Sequence, residues 1–344
     1  MIDGNGRRAT IADVARAAGT STALVSRVLT GNQRVAGASR ARIEAAIEAL
    51  RYVPSATARG LRLRRTGMVA LVVPYLDNPL YSLHAMGAER ELARAGLLTV
   101  VCSSRTLPTS GPYRGRTFFD VLGAGRVDGV LLFPYQEDVI AAMTLRDREV
   151  PVVLIDREPV YSDGMARLDA VVVDHEGAVA DATARLVGSG YRRIGLVSLR
   201  PESLSGAPRL AGYRAALAGA GIAYDPDLVA TGDGGAADGA DLMATLLDSG
   251  HPPDAVVVAT TMLTLGASAL LRRRATRLPD DLAVIGYGHE QSLGWPEFPV
   301  YRYPGIELGA AAARVLLDRL AARDAPAGAP CRVVLPMRYD PVGA

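Results

Sequence analysis

Three short helical patterns open the chain. Residues 11–18 place Ile11, Val14, Ala15 and Ala18 on one face behind Thr10, a good N-cap, and Gly19 stops the run. Thr20 and Ser21 offer a second cap, and residues 23–29 follow with Leu24, Val25, Val28 and Leu29 as their apolar set. A third pattern, from about Ser39 to Leu50, turns Ile43, Ala46, Ile47 and Leu50 inward. Two short helices joined by a tight glycine-containing turn, with a third to close the core, spell a helix-turn-helix. Pro54 ends this region. The stretch from there to Thr66 is basic and weakly helical with Gly60 inside it, and a helix that short is marginal alone because nucleation is unfavourable.

From Gly67 onward the period changes. Apolar runs of strand length (68–74, 97–104, 128–134, 151–156, 170–174, 193–198, 255–260 and 282–287) alternate with helical patterns at 79–95, 175–189, 208–220, 236–249 and 262–274. Continuous apolar strands alternating with helices predict parallel, doubly wound sheets. This many strands predict two of them, with a cleft at their carboxyl ends. The organisation expected is therefore a headpiece over 1–53, a hinge over 54–66 and a large α/β domain over 67–344.

Charge sharpens this division. Residues 1–66 hold twelve arginines against four acids, a net +8, while the remainder holds 26 basic and 32 acidic groups, a net −6. A basic small segment on an acidic body is the footprint of a nucleic-acid-binding arm. Every basic residue is arginine, since the sequence has no lysine. No run of about 18 apolar residues predicts a membrane span. The first residues lack the apolar stretch of a signal peptide, so a cytoplasmic protein is expected. Cys102 and Cys331 sit in apolar runs far apart and read as buried free thiols.

At this point the residues resemble the LacI/GalR family of repressors. The likeness is carried by Thr10 to Ala15, Ser21 with Val25 to Leu29, Tyr52-Val53-Pro54 and Ala58 to Leu61. It continues through Arg126 to Val130, Arg209 to Tyr213 and Val284 to Tyr287. The resemblance implies a small all-α helix-turn-helix headpiece plus a periplasmic-binding-protein-like α/β sensor of two doubly wound subdomains. It implies three crossovers, expected near 157–166, 291–297 and 324–331. The first subdomain then comprises about 67–160 and 298–325, with Tyr301 to Leu320 returning to it. The second comprises about 161–297 and 326–344, with the strand Arg332–Met337. It also implies a homodimer, since the leucine-rich tetramerising helix of some members does not follow Ala344.

The implied partner is double-stranded DNA bearing a pseudo-palindromic operator. Thr22, Ala23 and Arg27 correspond to the base-facing side of the recognition helix. Arg27 can donate two parallel hydrogen bonds to guanine, and Ala23 can offer its methyl to thymine. Thr10, Ser21, Ser26 and Thr30 correspond to phosphate contacts, Arg59 belongs to the basic hinge, and Leu61 matches the leucine that wedges into the minor groove. The chain departs from the family at Leu24, where threonine is usual, at Thr30, where asparagine is common, and at Ala36, where serine commonly caps the third helix.

The implied second partner is a small-molecule effector between the subdomains: a sugar, sugar phosphate or organic acid, with no other cofactor. Matching positions are Asn78, Tyr81, Tyr135, Asp156, Arg157, Asp174 and Arg209, each at a strand end. Asp156 and Asp174 can equally be caps, and the tyrosines cleft-wall packing. Thr261 and Gly288 stand where the family commonly has aspartates, which leaves fewer carboxylates for sugar hydroxyls and tilts the site toward an acceptor-rich or anionic ligand. His289 is a candidate donor, and Trp295 can stack on a ligand or pack at a crossover. Against an enzyme stand four histidines without metal-ligand spacing and the absence of a phosphate loop or a Gly-x-Ser-x-Gly motif. A transport binding protein would share the sensor but not the basic headpiece.

Overall fold

A computed structural model describes residues 9–29, 34–53, 65–76, 78–104, 118–135, 138–159, 161, 167–288, 298–323 and 328–341. The chain divides into two units, Met1–Thr66 and Gly67–Ala344.

The first unit contains α1 (Ile11–Ala17), α2 (Thr22–Leu29) and α3 (Gly37–Ala49). Thr10 and Asp13 form a capping box at the start of α1, with the Thr10 amide donating to Asp13 Oδ2 at 2.9 Å. Gly19 ends the helix at φ 61°, where only a glycine is unstrained. Val14, Ala15, Ala18, Val25, Val28, Val35, Ile43 and Ala46 form the buried core. Leu24 packs against that core, so the apolar residue at this position is used inward. Leu50 does not: it is exposed, because α3 has already ended and Arg51 reverses the chain at φ 45°. Tyr52 folds back instead, its amide donating to the Ile47 carbonyl at 2.9 Å.

Ala36 is the N-cap of α3 and supplies no side-chain hydrogen bond. Ala36→Ser is therefore expected to stabilise the headpiece by about 0.5–2 kcal/mol. Slower amide hydrogen exchange in the first turn of α3 would show it, and unchanged exchange there would count against an unsatisfied cap.

The second unit is built on two six-stranded sheets. The first contains β1 (Met68–Val73), β2 (Leu98–Ser103), β3 (Gly129–Leu132), β4 (Val152–Asp156), β5 (Asp169–Val173) and β11 (Arg332–Leu335), in the order β11-β5-β4-β3-β1-β2 and all parallel. The second contains β6 (Ile194–Leu199), β7 (Val229–Gly232), β8 (Ala255–Val258), β9 (Ala283–Gly288), β10 (Val300–Arg302) and β12 (Arg338–Asp340), in the order β12-β10-β9-β8-β6-β7, with β12 alone antiparallel. The connecting helices are α4 (Leu80–Arg94), α5 (Phe118–Leu122), α6 (Asp138–Asp147), α7 (His175–Gly188), α8 (Gly206–Gly219), α9 (Ala236–Leu247), α10 (Thr261–Arg273) and α11 (Gly305–Ala321). All eight apolar runs named above are strands.

The crossovers lie elsewhere than the sequence suggested. β5 pairs with β4 in the first sheet (Leu154 opposite Ala170), so the chain leaves that subdomain after Val173 rather than at 157–166. Tyr301 belongs to β10 in the second sheet, and only α11 returns, packing on α4 and under β3 to β5. β11 lies beside β5 in the first sheet, not the second, and the last crossing falls between Leu335 and Arg338. Strand–helix alternation fixes the kind of element, while the neighbour each strand takes is a long-range choice. The α4–α11 contact is close enough to require glycine: a Cβ on Gly87 would meet the Ile306 carbonyl at 2.0 Å, and one on Gly309 the His84 carbonyl at 2.1 Å. Cys102 and Cys331 are unbridged. Neither is fully buried, and Cys331 is exposed because the edge strand it precedes has one open side. Among the described residues no helix is long and apolar enough to cross a membrane, and no cluster of metal-ligating side chains occurs.

Candidate functional site

Two surfaces carry the chemistry. On the headpiece, Ser21 caps α2, its Oγ accepting from the Leu24 amide at 3.3 Å. Thr22, Ala23 and Arg27 then lie on the exposed face of α2, while Val25 and Val28 face the core. Ser26 is half-buried. Thr10 is engaged in its capping box, so both it and Ser21 hold helix ends with the groups expected to meet phosphates. Thr30, Arg59 and Leu61 lie outside the described residues.

In the second unit, a cleft of about 330 Å³ opens at the carboxyl ends of strands from both sheets. Asn78, Tyr81, Tyr135, Asp156, Arg157, Arg209 and Thr261 line it together. Asn78 caps the turn into α4, accepting from the Leu80 amide at 3.0 Å. Tyr81 is buried edge-on against Phe133, with ring centres 4.8 Å apart, and Tyr135 meets Tyr75 at 6.0 Å. Asp174 is not in the cleft: it is the N-cap of α7, its carboxylate accepting from the Gly177 amide at 2.8 Å. His289 and Trp295 lie outside the described residues.

Several lining residues were not expected in the cleft from the sequence: Tyr75, Ser205, Asp233, Tyr287 and Tyr303. The last three follow or belong to β7, β9 and β10. Gly288 has φ 141°, a backbone that an aspartate rarely adopts, and a Cβ there would approach Thr261 Cγ2 at 3.3 Å. The glycine and the threonine at these two positions are thus matched to each other. Asp233 supplies a carboxylate at the rim, but it is exposed and paired with Arg200 at 2.8 Å.

The floor of the cleft is charged. Asp156 ends β4 at φ 74°, a left-handed conformation that costs strain in most residues and is best tolerated by Asp and Asn. Its Oδ1 accepts from the Tyr303 hydroxyl at 2.5 Å and meets His175 Nε2 at 3.2 Å. Its Oδ2 lies 3.2 Å from Arg157 Nε, an ion pair without the alignment of a hydrogen bond. Burial alone would raise the Asp156 carboxyl, but His175, Arg157 and Tyr303 outweigh it and hold the group well below the usual carboxylate range. Burial likewise pulls Arg209 below its ordinary value, with Asp156 opposing. Both guanidiniums stay charged, because an arginine starts so far above neutral pH. Arg157 Nε, Arg209 Nε and the Tyr287 hydroxyl are buried with no hydrogen-bond partner. A buried donor without a partner costs about 1–3 kcal/mol, so the cleft is prepared for acceptor oxygens.

Comparison with known proteins bears on both surfaces. Residues 10–55 match the lacI family of bacterial regulatory proteins, and residues 183–341 match a periplasmic binding protein-like domain. The HTH-type transcriptional regulator CelR of Thermobifida fusca is 35% identical over 321 residues, covering 91% of this chain and 92% of the relative. The chain belongs to the LacI family. The ribose operon repressor of Escherichia coli K12 is 32% identical over 91% of this chain and 93% of its own length. A solved complex of CelR with cellobiose superposes with a TM-score of 0.70 at 31% identity, covering 97% of this chain and 98% of that one. As a LacI-family member, the protein is a DNA-binding transcriptional regulator and not an enzyme. The helix-turn-helix is its DNA-reading part, and the two-sheet unit is its sensor.

Proposed function

We propose that this regulator acts in the cytoplasm as a homodimer, reads a pseudo-palindromic operator through α2 of two headpieces, and changes operator affinity when a carbohydrate-class effector fills the cleft. One observation carries the effector reading: Arg209 and Tyr287 line the cleft, each with a buried donor that has no hydrogen-bond partner, and Arg157, from the other subdomain, lines it with its Nε ion-paired to Asp156. The buried carboxylate of the cleft, Asp156, is committed to protein partners, so what the site offers is donors and tyrosine faces. Sugar oxygens accept from such donors, and sugar rings pack on aromatic faces. Cellobiose in the CelR complex and ribose in the name of the second relative favour a carbohydrate over an organic acid, with sugar phosphates within the same chemistry.

The test is operator binding by the full chain, followed by fluorescence anisotropy, in the presence of cellobiose, ribose, glucose 6-phosphate or citrate. A shift of operator affinity with one of the first three supports the reading. A response to citrate alone, or a sugar response that survives filling the cleft by substitution at Thr261, overturns it.

The headpiece reading has its own test. Arg27→Ala is expected to lose roughly 1–3 kcal/mol of specific binding and to relax preference at one base pair of each half-site. Affinity should fall steeply with salt in both proteins, as several arginine–phosphate contacts release counterions. Undiminished base selectivity in the variant would remove Arg27 from direct readout.

A further inference from the structure

Beneath the cleft a row of buried polar side chains runs between the two subdomains. His84, on α4, turns Nδ1 to the Leu80 carbonyl at 2.7 Å and Nε2 toward the Tyr303 hydroxyl at 3.4 Å. Tyr303 donates to Asp156, Asp156 meets His175 Nε2, and His175 Nδ1 meets Arg209 Nη2 at 3.1 Å. Arg209 Nη1 donates to the Ser205 carbonyl at 2.6 Å. His175 and Arg209 are each only 5% exposed.

The partners fix the state of the His175 ring. An ionised carboxylate only accepts and a guanidinium only donates. Nε2 must therefore carry the proton and Nδ1 the lone pair. The ring is a neutral adaptor between an acceptor below and a donor above. Two nitrogens of Arg209 are thereby held on the protein, and the third, Nε, is left buried without a partner beside Tyr287.

We propose that His175 is a positioning residue for the effector site: in its neutral Nε2–H form it holds Arg209 toward the cleft, and protonation of the ring releases that hold. The inference rests on the effector reading above for what Arg209 does. A protonated ring would set an N–H against guanidinium donors and add a second cation to a buried contact. The charged groups facing the ring are Asp156 and Arg157 from the end of β4 and Arg209 from α8, and Tyr303, from beyond β10, shares Asp156 Oδ1 with it. Along its own chain it is flanked by Asp174, which is occupied in capping, and Glu176. Burial and Arg209 push the ring toward the neutral form and Asp156 opposes them, the balance lying below the ordinary histidine value. The hold is therefore intact at neutral pH and lost only as the pH falls below that value, so effector binding weakens in acid.

The experiment uses the full chain labelled with 15N-histidine, whose four rings are read by long-range nitrogen–proton spectra; His175→Gln identifies its signal. The expected result is a neutral Nε2–H ring at neutral pH whose Nδ1 shift moves in Arg209→Met. With cellobiose as probe, wild-type affinity should be full at neutral pH and fall in acid, in step with protonation of the His175 ring read in the same spectra. His175→Gln, whose amide still offers a donor and an acceptor but does not titrate, should stay nearly level, and His175→Ala should bind weakly throughout. A ring protonated on Nδ1, an Nδ1 shift indifferent to Arg209→Met, or parallel acid loss in wild type and His175→Gln would overturn the inference. If cellobiose, ribose and glucose 6-phosphate all fail to bind the wild type, the effector reading fails instead, and the ring spectra still decide the arrangement.

Discussion

Arg209→Met is expected to lower effector affinity about 10–150-fold while the sensor remains folded. The guanidinium has one nitrogen on the Ser205 carbonyl, one on His175 and one without a partner at the cleft. Hydrogen bonds from a charged donor contribute about 1.5–3 kcal/mol, which corresponds to that range of affinity. Methionine fills much of the same volume, so the loss is of donors and charge more than of packing. Titration calorimetry with cellobiose, alongside circular dichroism to confirm the fold, measures it. Affinity within threefold of wild type would remove Arg209 from the site.

Asp156→Asn is expected to destabilise the sensor by about 3–5 kcal/mol, the range found when one partner of a buried ion pair is removed. Asparagine tolerates φ 74° as well as aspartate does, so the variant isolates the charge. Arg157 would lose its ion-pair partner, and Tyr303 and His175 would share a weaker acceptor. The pH dependence follows from the lowered carboxyl. A folded-state value below the unfolded one gives stability that is fully present above the unfolded carboxylate range, about 3.9, and lost as pH falls toward the folded value. Wild type should therefore lose stability on acidification, and the asparagine variant should lose less. Urea midpoints between about pH 7 and about pH 3 decide. Equal midpoints for the two proteins at neutral pH would show that the carboxylate carries no net stabilisation.

What the sequence by itself determined is what depends on neighbours along the chain. Thr10 and Asp13, three apart, close a capping box; Gly19 takes a left-handed turn; Val14, Val25, Val28 and Ile43 recur at helical spacing and form the headpiece core. The eight apolar runs are strands because a buried parallel strand has to be apolar on both faces. Asn78, Tyr81, Tyr135, Asp156, Arg157, Arg209 and Thr261 were legible as cleft residues from their place at strand ends and helix starts and from the family likeness. Only the tertiary structure decided the rest. β7, β10 and β12 have three or four residues each and no apolar run to reveal them. The sheet that β5 and β11 join is a choice of hydrogen-bonding neighbour, made by residues more than 150 positions apart along the chain at Ala170 and Arg332. Asp174 and His175 are adjacent and equally polar, yet the first turns back to cap its own helix while the second points inward to Asp156 and Arg209. That inward network joins positions 84, 156, 175, 209 and 303, so its charges and tautomer exist only once five distant segments have packed away the water that would otherwise screen them.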